Sequence, residues 1–378
     1  MLKDAVAVLD IGSSKVTALI GERAVNNNFT IRAIAERTHE AFYDGSVDDL
    51  KSLESAVLGA LDEVCVSAKV TVNELFIGVP GEFLTIRNKQ YQILLNKRRT
   101  IKKKDVDELY DDAVEAVSEG EFELIDRSAV YYFIDGNSRV AEPIGEVSES
   151  LSGYLTFFLC KKVFLSAMRN VLAVRSIKKL RFVPVPLAES LYLFDRQERY
   201  AYVILVDVGY ITTSVSIILG DGMLYQGAFP MGGGHVSAYL TQNLNIDFSL
   251  AEKLKRKINL SLNTGLNECY EVFVADEQHT FKVSVCNEIV CNVLDGIAEK
   301  IDKLLNESHV KLPHSNNVSI SLTGGGISFM RGAKEYLSKR LEMGVGIVSP
   351  DIPFMNKPDE SSKLSLLDYC LDYKKKNK

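Results

Sequence analysis

Two short segments of the chain place an acidic residue, a glycine and hydroxyl side chains directly after an apolar run. The first is Asp10-Ile11-Gly12-Ser13-Ser14-Lys15, which follows the Val-rich run Ala5–Asp10. A carboxylate at a strand end can hold a hydrated Mg²⁺, glycine lets the backbone approach a phosphate, and successive N–H groups can surround its oxygens. Lys15 adds a positive charge. The segment predicts a magnesium–phosphate site, and the alternative is a plain hairpin turn.

The second segment, Asp207-Val208-Gly209-Tyr210-Ile211-Thr212-Thr213, repeats this order 197 positions later. It follows the apolar run Val203–Asp207 and precedes another strand-like run, Thr213–Leu219. Two such segments facing each other would hold both sides of a triphosphate. The recurrence also predicts a duplicated α/β lobe.

Two glycine runs could bring backbone close to a ligand. Thr323-Gly324-Gly325-Gly326 follows the strand-like run Val318–Leu322 and lets a flat base or a phosphate reach the main chain; the alternative is a flexible loop. Met231-Gly232-Gly233-Gly234-His235 precedes a helix-like stretch whose first N–H groups could meet an anion. The chain contains no GxxxxGK[ST] motif, so it is not a P-loop protein.

Alternating strand-like and helix-like segments must position these motifs, which indicates a mixed α/β class. Between residues 82 and 162 the chain is more charged, and we expect a small inserted α+β subdomain there. Six of the eight residues 97–104 are basic, and this run is predicted to be a solvated loop before a helix over Asp105–Val117. A contact with an acidic partner peptide is the alternative for the run.

Composition limits the classes of function. The 378 residues carry a net charge of −6 and 46% apolar residues, which excludes a wholly disordered chain and argues against bulk nucleic-acid binding. Six scattered cysteines without a CxxC pair are typical of reduced thiols rather than of a zinc site. No apolar run approaches the roughly 20 residues that cross a bilayer, and the first residues do not resemble a signal peptide.

The order and spacing of the motifs resemble the two phosphate motifs and the adenosine motif of the actin-like ATPase superfamily. Within it the chain resembles the FtsA family of bacterial cell-division proteins over nearly its whole length. The stretches that carry this resemblance are LDIGSSKVTALIGE (9–22), ELFIGVPGEFL (74–84), YYFIDGNSRVAEPIGEVSESL (131–151), FPMGGGHVSAYLTQNLNIDFSLAEKLK (229–255) and SLTGGGISFMRGAKEYL (321–337).

The resemblance implies a two-lobed actin-like ATPase fold made of duplicated ribonuclease-H-like lobes. The first lobe would comprise 1–81 and 163–197, with the FtsA-type subdomain, the SHS2 domain, inserted at 82–162. The second lobe would comprise 198–362, with about 236–290 as its smaller subdomain. Residues 363–378 would form a terminal helix and a basic tail.

The resemblance also implies roles for single residues. Asp10 and Asp207 would be the catalytic acids, holding Mg²⁺ through water. Glu252 and Lys255 match a Glu-x-x-Lys pattern that reaches ribose and adenine, although an ordinary solvated pair is the alternative. The other predicted cofactor contacts are Gly12, Ser13, Ser14, Lys15, Gly209, Thr212, Thr213, Gly232, Gly233, Gly324 and Gly325.

By resemblance, the protein would bind ATP and Mg²⁺ between its lobes, form filaments and link the FtsZ ring, through the FtsZ C-terminal peptide, to other division proteins. It would be cytoplasmic, at the inner face of the cell membrane at the division site. Asp368 and Asp372 interrupt the apolar face of the last segment. That segment is therefore predicted to be the last helix of the fold, and membrane contact to be indirect or weak.

Departures from the family pattern keep alternatives open. Tyr210 and Ile211 stand where the second phosphate motif has small residues, and Ser214 replaces its final Asp. Bulky residues disfavour positive φ, so this loop could lie further from the phosphates. No general base is obvious, so at most slow hydrolysis is expected. The alternatives are a nucleotide-free scaffold, an adaptor like the pilus protein PilM that binds a membrane partner's peptide, and a sugar or acid kinase, against which the insert argues.

Overall fold

The computed structural model describes residues 5–24, 28–114, 120–262, 268–274, 277–313 and 318–376. The strands are β1 Ala5–Ile11, β2 Lys15–Arg23, β3 Phe29–Thr38, β4 Phe42–Tyr43, β5 Ser46–Val47, β6 Glu74–Val79, β7 Leu84–Thr100, β8 Phe122–Ile134, β9 Ser138–Val140, β10 Val147–Lys161, β11 Lys179–Pro184, β12 Val203–Val208, β13 Thr213–Leu219, β14 Gly222–Phe229, β15 Cys269–Val274, β16 Glu277–Lys282, β17 Ile320–Thr323 and β18 Val345–Ile347. The helices are α1 Leu50–Ala68, α2 Lys103–Ala113, α3 Lys162–Leu172, α4 Val185–Leu193, α5 Arg196–Tyr200, α6 Gly233–Leu244, α7 Phe248–Lys255, α8 Val283–Glu307, α9 Ala333–Leu341 and α10 Ser361–Lys376.

The chain divides into two compact units. Unit 1 comprises 1–203, 216–227 and 362–378, and unit 2 comprises 204–215 and 228–361. Each main sheet has five strands, in the orders β3-β2-β1-β6-β11 and β14-β13-β12-β17-β18. In both sheets a strand that ends in an acid–glycine turn lies between its hairpin partner and a parallel strand. The predicted duplication of an α/β lobe is therefore confirmed.

The central strand of unit 1 is buried on both faces. Alternate residues of β1 join two different cores: Leu9 packs in the core that contains α1 and α3, whereas Val8 packs in the core that contains α10. Successive side chains of a strand point to opposite faces. The continuous apolar run of β1 thus reflects a sheet with helices on both sides.

The insert has its own sheet, in the order β7-β10-β8-β9, and a separate core under α2. The prediction of a solvated loop over 97–104 is wrong, because β7 continues to Thr100 and α2 begins at Lys103. Arg99 donates to both oxygens of the buried Asp105 carboxylate, at 2.6 and 2.8 Å, and this pair joins the strand end to the helix start. Residues 115–117 of the helix predicted over Asp105–Val117 lie outside the described residues.

Helix α10 packs on the unit 1 sheet. Leu366, Leu367 and Cys370 are fully buried in the core with β1. Arg23 donates to Asp368 at 2.6 Å and to Asp372 at 2.5 Å. The segment thus contains a helix that packs in this core; residues 377 and 378 of the predicted basic tail lie outside the described residues. Among the residues described, no helix is long and apolar enough to cross a membrane.

Candidate functional site

The first acid–glycine segment forms a tight hairpin turn between β1 and β2. The N–H of Gly12 donates to the carbonyl of Lys15 at 2.9 Å, which places Ser13 and Ser14 at the tip of the turn. The N–H of His39, just after β3, donates to the carbonyl of Ser14 at 3.0 Å. The turn is therefore held by its own closing bond and by the neighbouring strand.

His39 also supports this turn with its ring. The N–H of Ala41 donates to Nδ1 at 3.1 Å, so Nδ1 is unprotonated and Nε2–H donates to the carbonyl of Gly12 at 2.9 Å. Burial lowers the pKa of His39, which favours this neutral ring. Sequence reasoning missed His39, because no spacing in the chain links it to residues 10–15.

Asp10 and Lys15 have partners inside unit 1. The hydroxyl of Ser362 donates to Oδ2 of Asp10 at 2.6 Å, and burial raises the pKa of Asp10. Lys15 and Lys363 each donate to Oε1 of Glu36 at 3.0 Å. Burial alone would raise the pKa of Glu36, but these two bonds lower it to about 2. Lys15 is thus paired with a carboxylate beside the turn.

The second acid–glycine segment repeats the first turn. The N–H of Gly209 donates to the carbonyl of Thr212 at 2.9 Å, as Gly12 does to Lys15. Neither Tyr210 nor Ile211 has a positive φ. The hydroxyl of Thr213 donates to the carbonyl of Met231 at 2.6 Å, whereas the buried Oγ1 of Thr212 has no hydrogen-bond partner among the described residues.

Sheet pairing in unit 2 brings the second acid–glycine segment and the Thr323–Gly326 glycine run together. Asp207 and Thr323 are direct partners on the parallel strands β12 and β17, so the segments after them lie at the same sheet edge. The N–H of Gly326 donates to the carbonyl of Val208 at 2.7 Å. Gly324 has a φ of +87° and lies against the carboxylate of Asp207, where a Cβ would clash.

The glycine run Gly232–Gly234 packs on the second turn, and its N–H groups already donate to neighbouring acceptors. The N–H of Gly233 donates to the carbonyl of Gly209 at 2.9 Å. The N–H of Gly232 donates to Nδ1 of His235 at 3.1 Å. The prediction that these N–H groups meet an anion therefore gains no support from the hydrogen bonding.

Unit 2 contains a cavity of about 510 Å³ beside these runs. The Oε1 atom of Glu252 accepts from Lys255 at 2.8 Å, from Tyr210 at 3.2 Å and from the hydroxyl of Ser237. Lys255 also donates to the carbonyl of Gly233 at 3.0 Å and lies over the Tyr210 ring, 5.4 Å from its centroid. The cavity lining includes Tyr210, Glu252, Lys255, Gly325, Gly326 and Phe329.

Neighbouring groups determine the protonation states of Glu252 and Tyr210 in this cavity. Burial alone would raise the pKa of Glu252, but the bonds from Lys255 and Ser237 lower it, so the carboxylate is ionised. Burial and the Glu252 charge raise the pKa of Tyr210 to about 12, so its hydroxyl is a donor. The cavity offers hydrogen-bond donors and acceptors beside glycine backbone and an aromatic wall. This lining suits a ligand that has both a flat polar ring and hydroxyl groups.

Sequence comparisons find similarity to FtsA cell-division proteins. Residues 204–365 match the family described as "Cell division protein FtsA". The FtsA of Neisseria meningitidis is 23% identical over 353 residues, which span 91% of this chain and 84% of that protein. The FtsA of Bacillus subtilis is 19% identical over 367 residues, which span 96% and 82%.

Solved structures are similar in fold. A chain of the PilM-PilN type IV pilus biogenesis complex superposes with a TM-score of 0.65 at 15% identity, covering 98% of this chain and 99% of that one. MreB5 of Spiroplasma citri bound to AMPPNP superposes with a TM-score of 0.58 at 13% identity, covering 100% and 98%. The predicted two-lobed actin-like fold is confirmed.

Proposed function

We propose that this chain, an FtsA-like cell-division protein with an actin-like fold, binds ATP together with Mg²⁺. The observation that carries the proposal is the repeated turn. Each unit has an aspartate followed by a glycine whose N–H closes a turn of the same geometry, at Gly12–Lys15 and at Gly209–Thr212. MreB5, which shares the fold, is a nucleotide complex in its solved form.

The residues present fit such a ligand. Asp10 and Asp207 would hold a hydrated Mg²⁺, which neutralises phosphate charge when bound. The partnerless hydroxyl of Thr212 would donate to a phosphate oxygen. Glu252 would accept hydrogen bonds from ribose hydroxyls through Oε2, because Tyr210, Ser237 and Lys255 all donate to Oε1.

The wider role follows from the relationship to the FtsA proteins. We infer that the protein binds the C-terminal peptide of FtsZ, assembles with other division proteins and associates head to tail into filaments at the membrane face of the division site. Because α10 is buried in the core of unit 1, this helix would not itself enter the membrane. Hydrolysis of ATP would be slow at most.

Calorimetry with ATP, with and without Mg²⁺, tests the proposal. We expect micromolar Mg²⁺-dependent binding that Asp10→Ala and Asp207→Ala abolish. Asp302→Ala, an exposed position on α8, serves as the matched control and should bind like the wild type. If the wild type does not bind at millimolar ATP, nucleotide binding is refuted and the protein is a nucleotide-free scaffold.

A pull-down tests the partner separately. An immobilised FtsZ C-terminal peptide should retain the wild-type protein, and a scrambled peptide should not. A PilM-like adaptor would ignore both peptides, so loss of the difference between them would refute the FtsZ link even if ATP binds.

A further inference from the structure

We infer that Ser362 is a positioning residue for Asp10, an inference that rests on the proposed binding of Mg²⁺ and ATP. The Ser362 hydroxyl donates to Oδ2 of Asp10 at 2.6 Å, across 352 positions of sequence. The two residues belong to the same unit. The proposed magnesium carboxylate therefore receives a short hydrogen bond from the start of the last helix.

The location of this hydroxyl favours a specific role. Ser362 lies in the first turn of α10, where a serine usually bonds a nearby backbone N–H of its own helix. Here it donates to a side chain on β1 instead. The next residue, Lys363, is almost fully buried and bonds Glu36 at 3.0 Å. Consecutive residues of α10 thus contact the two acids that flank the first turn.

Helix α10 keeps the hydroxyl in a fixed place. Leu366 and Leu367 are fully buried one turn further along, and Arg23 bonds Asp368 at 2.6 Å. A donor on a helix held by core packing and ion pairs has little freedom to move away. The hydrogen bond therefore restricts the rotation of the Asp10 carboxylate in the folded protein.

The chemistry of the bond suits a metal-facing carboxylate. An ionised carboxylate has about four acceptor positions, and one hydroxyl occupies only one of them. The remaining positions stay available to water bound to Mg²⁺. Removing the hydroxyl leaves the charge of Asp10 in place but lets its orientation vary, which should weaken the magnesium-dependent part of ATP binding and spare the rest.

Four proteins compared by calorimetry test this inference: the wild type, S362A, S362T and S365A. Ser365 is a matched control, because it lies on the same helix and its buried hydroxyl has no hydrogen-bond partner among the described residues. ATP binding is measured with MgCl₂ and with EDTA. S362A should lose about tenfold in affinity with Mg²⁺, roughly 1.4 kcal/mol, and change less than about twofold with EDTA. S362T, which keeps a hydroxyl, should retain the gain in ATP affinity that Mg²⁺ gives, and S365A should match the wild type.

Two results would overturn the inference alone: an unchanged magnesium-dependent gain in S362A, or an equal loss with Mg²⁺ and with EDTA, which would indicate a merely structural role. If S362A folds poorly, S362C keeps the size but donates weakly and should give the same split. A wild type that binds no ATP would overturn the proposed function and this inference with it. Unfolding without ligand checks that S362A and S365A are equally stable.

Discussion

A methyl group added at Gly324 should be costly, because the backbone and the neighbouring strand both oppose it. The φ of +87° is in the left-handed region, where a residue with a Cβ is strained by about 1–2 kcal/mol. The new Cβ would also clash with the Asp207 carboxylate and the Val208 carbonyl, and such overpacking costs about 1–3 kcal/mol. Gly324→Ala should therefore lower the free energy of unfolding by about 2–5 kcal/mol.

Urea unfolding followed by far-ultraviolet circular dichroism measures this change, since the chain has no tryptophan. The effect should appear as a lower midpoint at an unchanged slope. Gly346→Ala is the matched control: Gly346 is exposed on β18, and a Cβ there meets nothing within 4 Å. This control should stay within about 0.5 kcal/mol of the wild type.

The reasoning would be refuted if Gly324→Ala were as stable as Gly346→Ala, because the close approach to Asp207 would then impose no constraint. ATP binding gives a second readout. A clash that displaces the Asp207 carboxylate should weaken Mg²⁺-dependent binding even at low temperature, where the variant remains folded.

Two further predictions concern stability. The pKa of His39 is lower in the folded protein than its usual value of about 6.5, so near that pH the unfolded chain binds more protons than the folded one. The free energy of unfolding should therefore fall as the pH drops through about 6.5, by about 1.4 kcal/mol for each unit by which folding lowers the pKa. Urea titrations at pH 7.5 and 5.5 should show a smaller fall in His39→Gln, and an equal fall would contradict the assignment. Leu367→Ala, at a fully buried position on α10, should cost about 3–5 kcal/mol, whereas Leu94→Ala, on a side chain 78% exposed, should cost under about 0.5 kcal/mol. Equal denaturation midpoints for these two variants would mean that α10 is not part of the core.

The paired strands and turns were predictable because their signals are local. Each apolar run ended by Asp-x-Gly became a strand and a turn, and Asn245 ends α6 shortly before α7 begins at Phe248. Asn245 has a φ of 50°, a conformation that asparagine tolerates at helix ends. In such cases the residue types alone determine the local backbone conformation.

The prediction of a solvated loop over the basic run 97–104 was wrong for a physical reason. Its charge suggested solvent, but β7 alternates, with Ile93 and Leu95 buried in the insert core and Leu94 exposed between them. The continuation of this strand to Thr100 depends on pairing with β10, which begins 47 residues after Thr100 at Val147. Asp105 then neutralises Arg99. A local reading of charge cannot anticipate a strand partner that lies this far along the chain.

Tyr210 and Ile211 change the second turn less than their size suggests. The expected difficulty was that bulky residues resist positive φ, but neither residue is among the described ones that adopt it, and the closing hydrogen bond equals that of the first turn. What the substitution alters is the cavity wall, because the Tyr210 hydroxyl bonds Glu252 and its ring lies under Lys255. A phosphate held by backbone would therefore meet similar turns in both units. The departure from the family motif would therefore affect the proposed nucleoside contacts, and it gives no physical ground for excluding nucleotide binding.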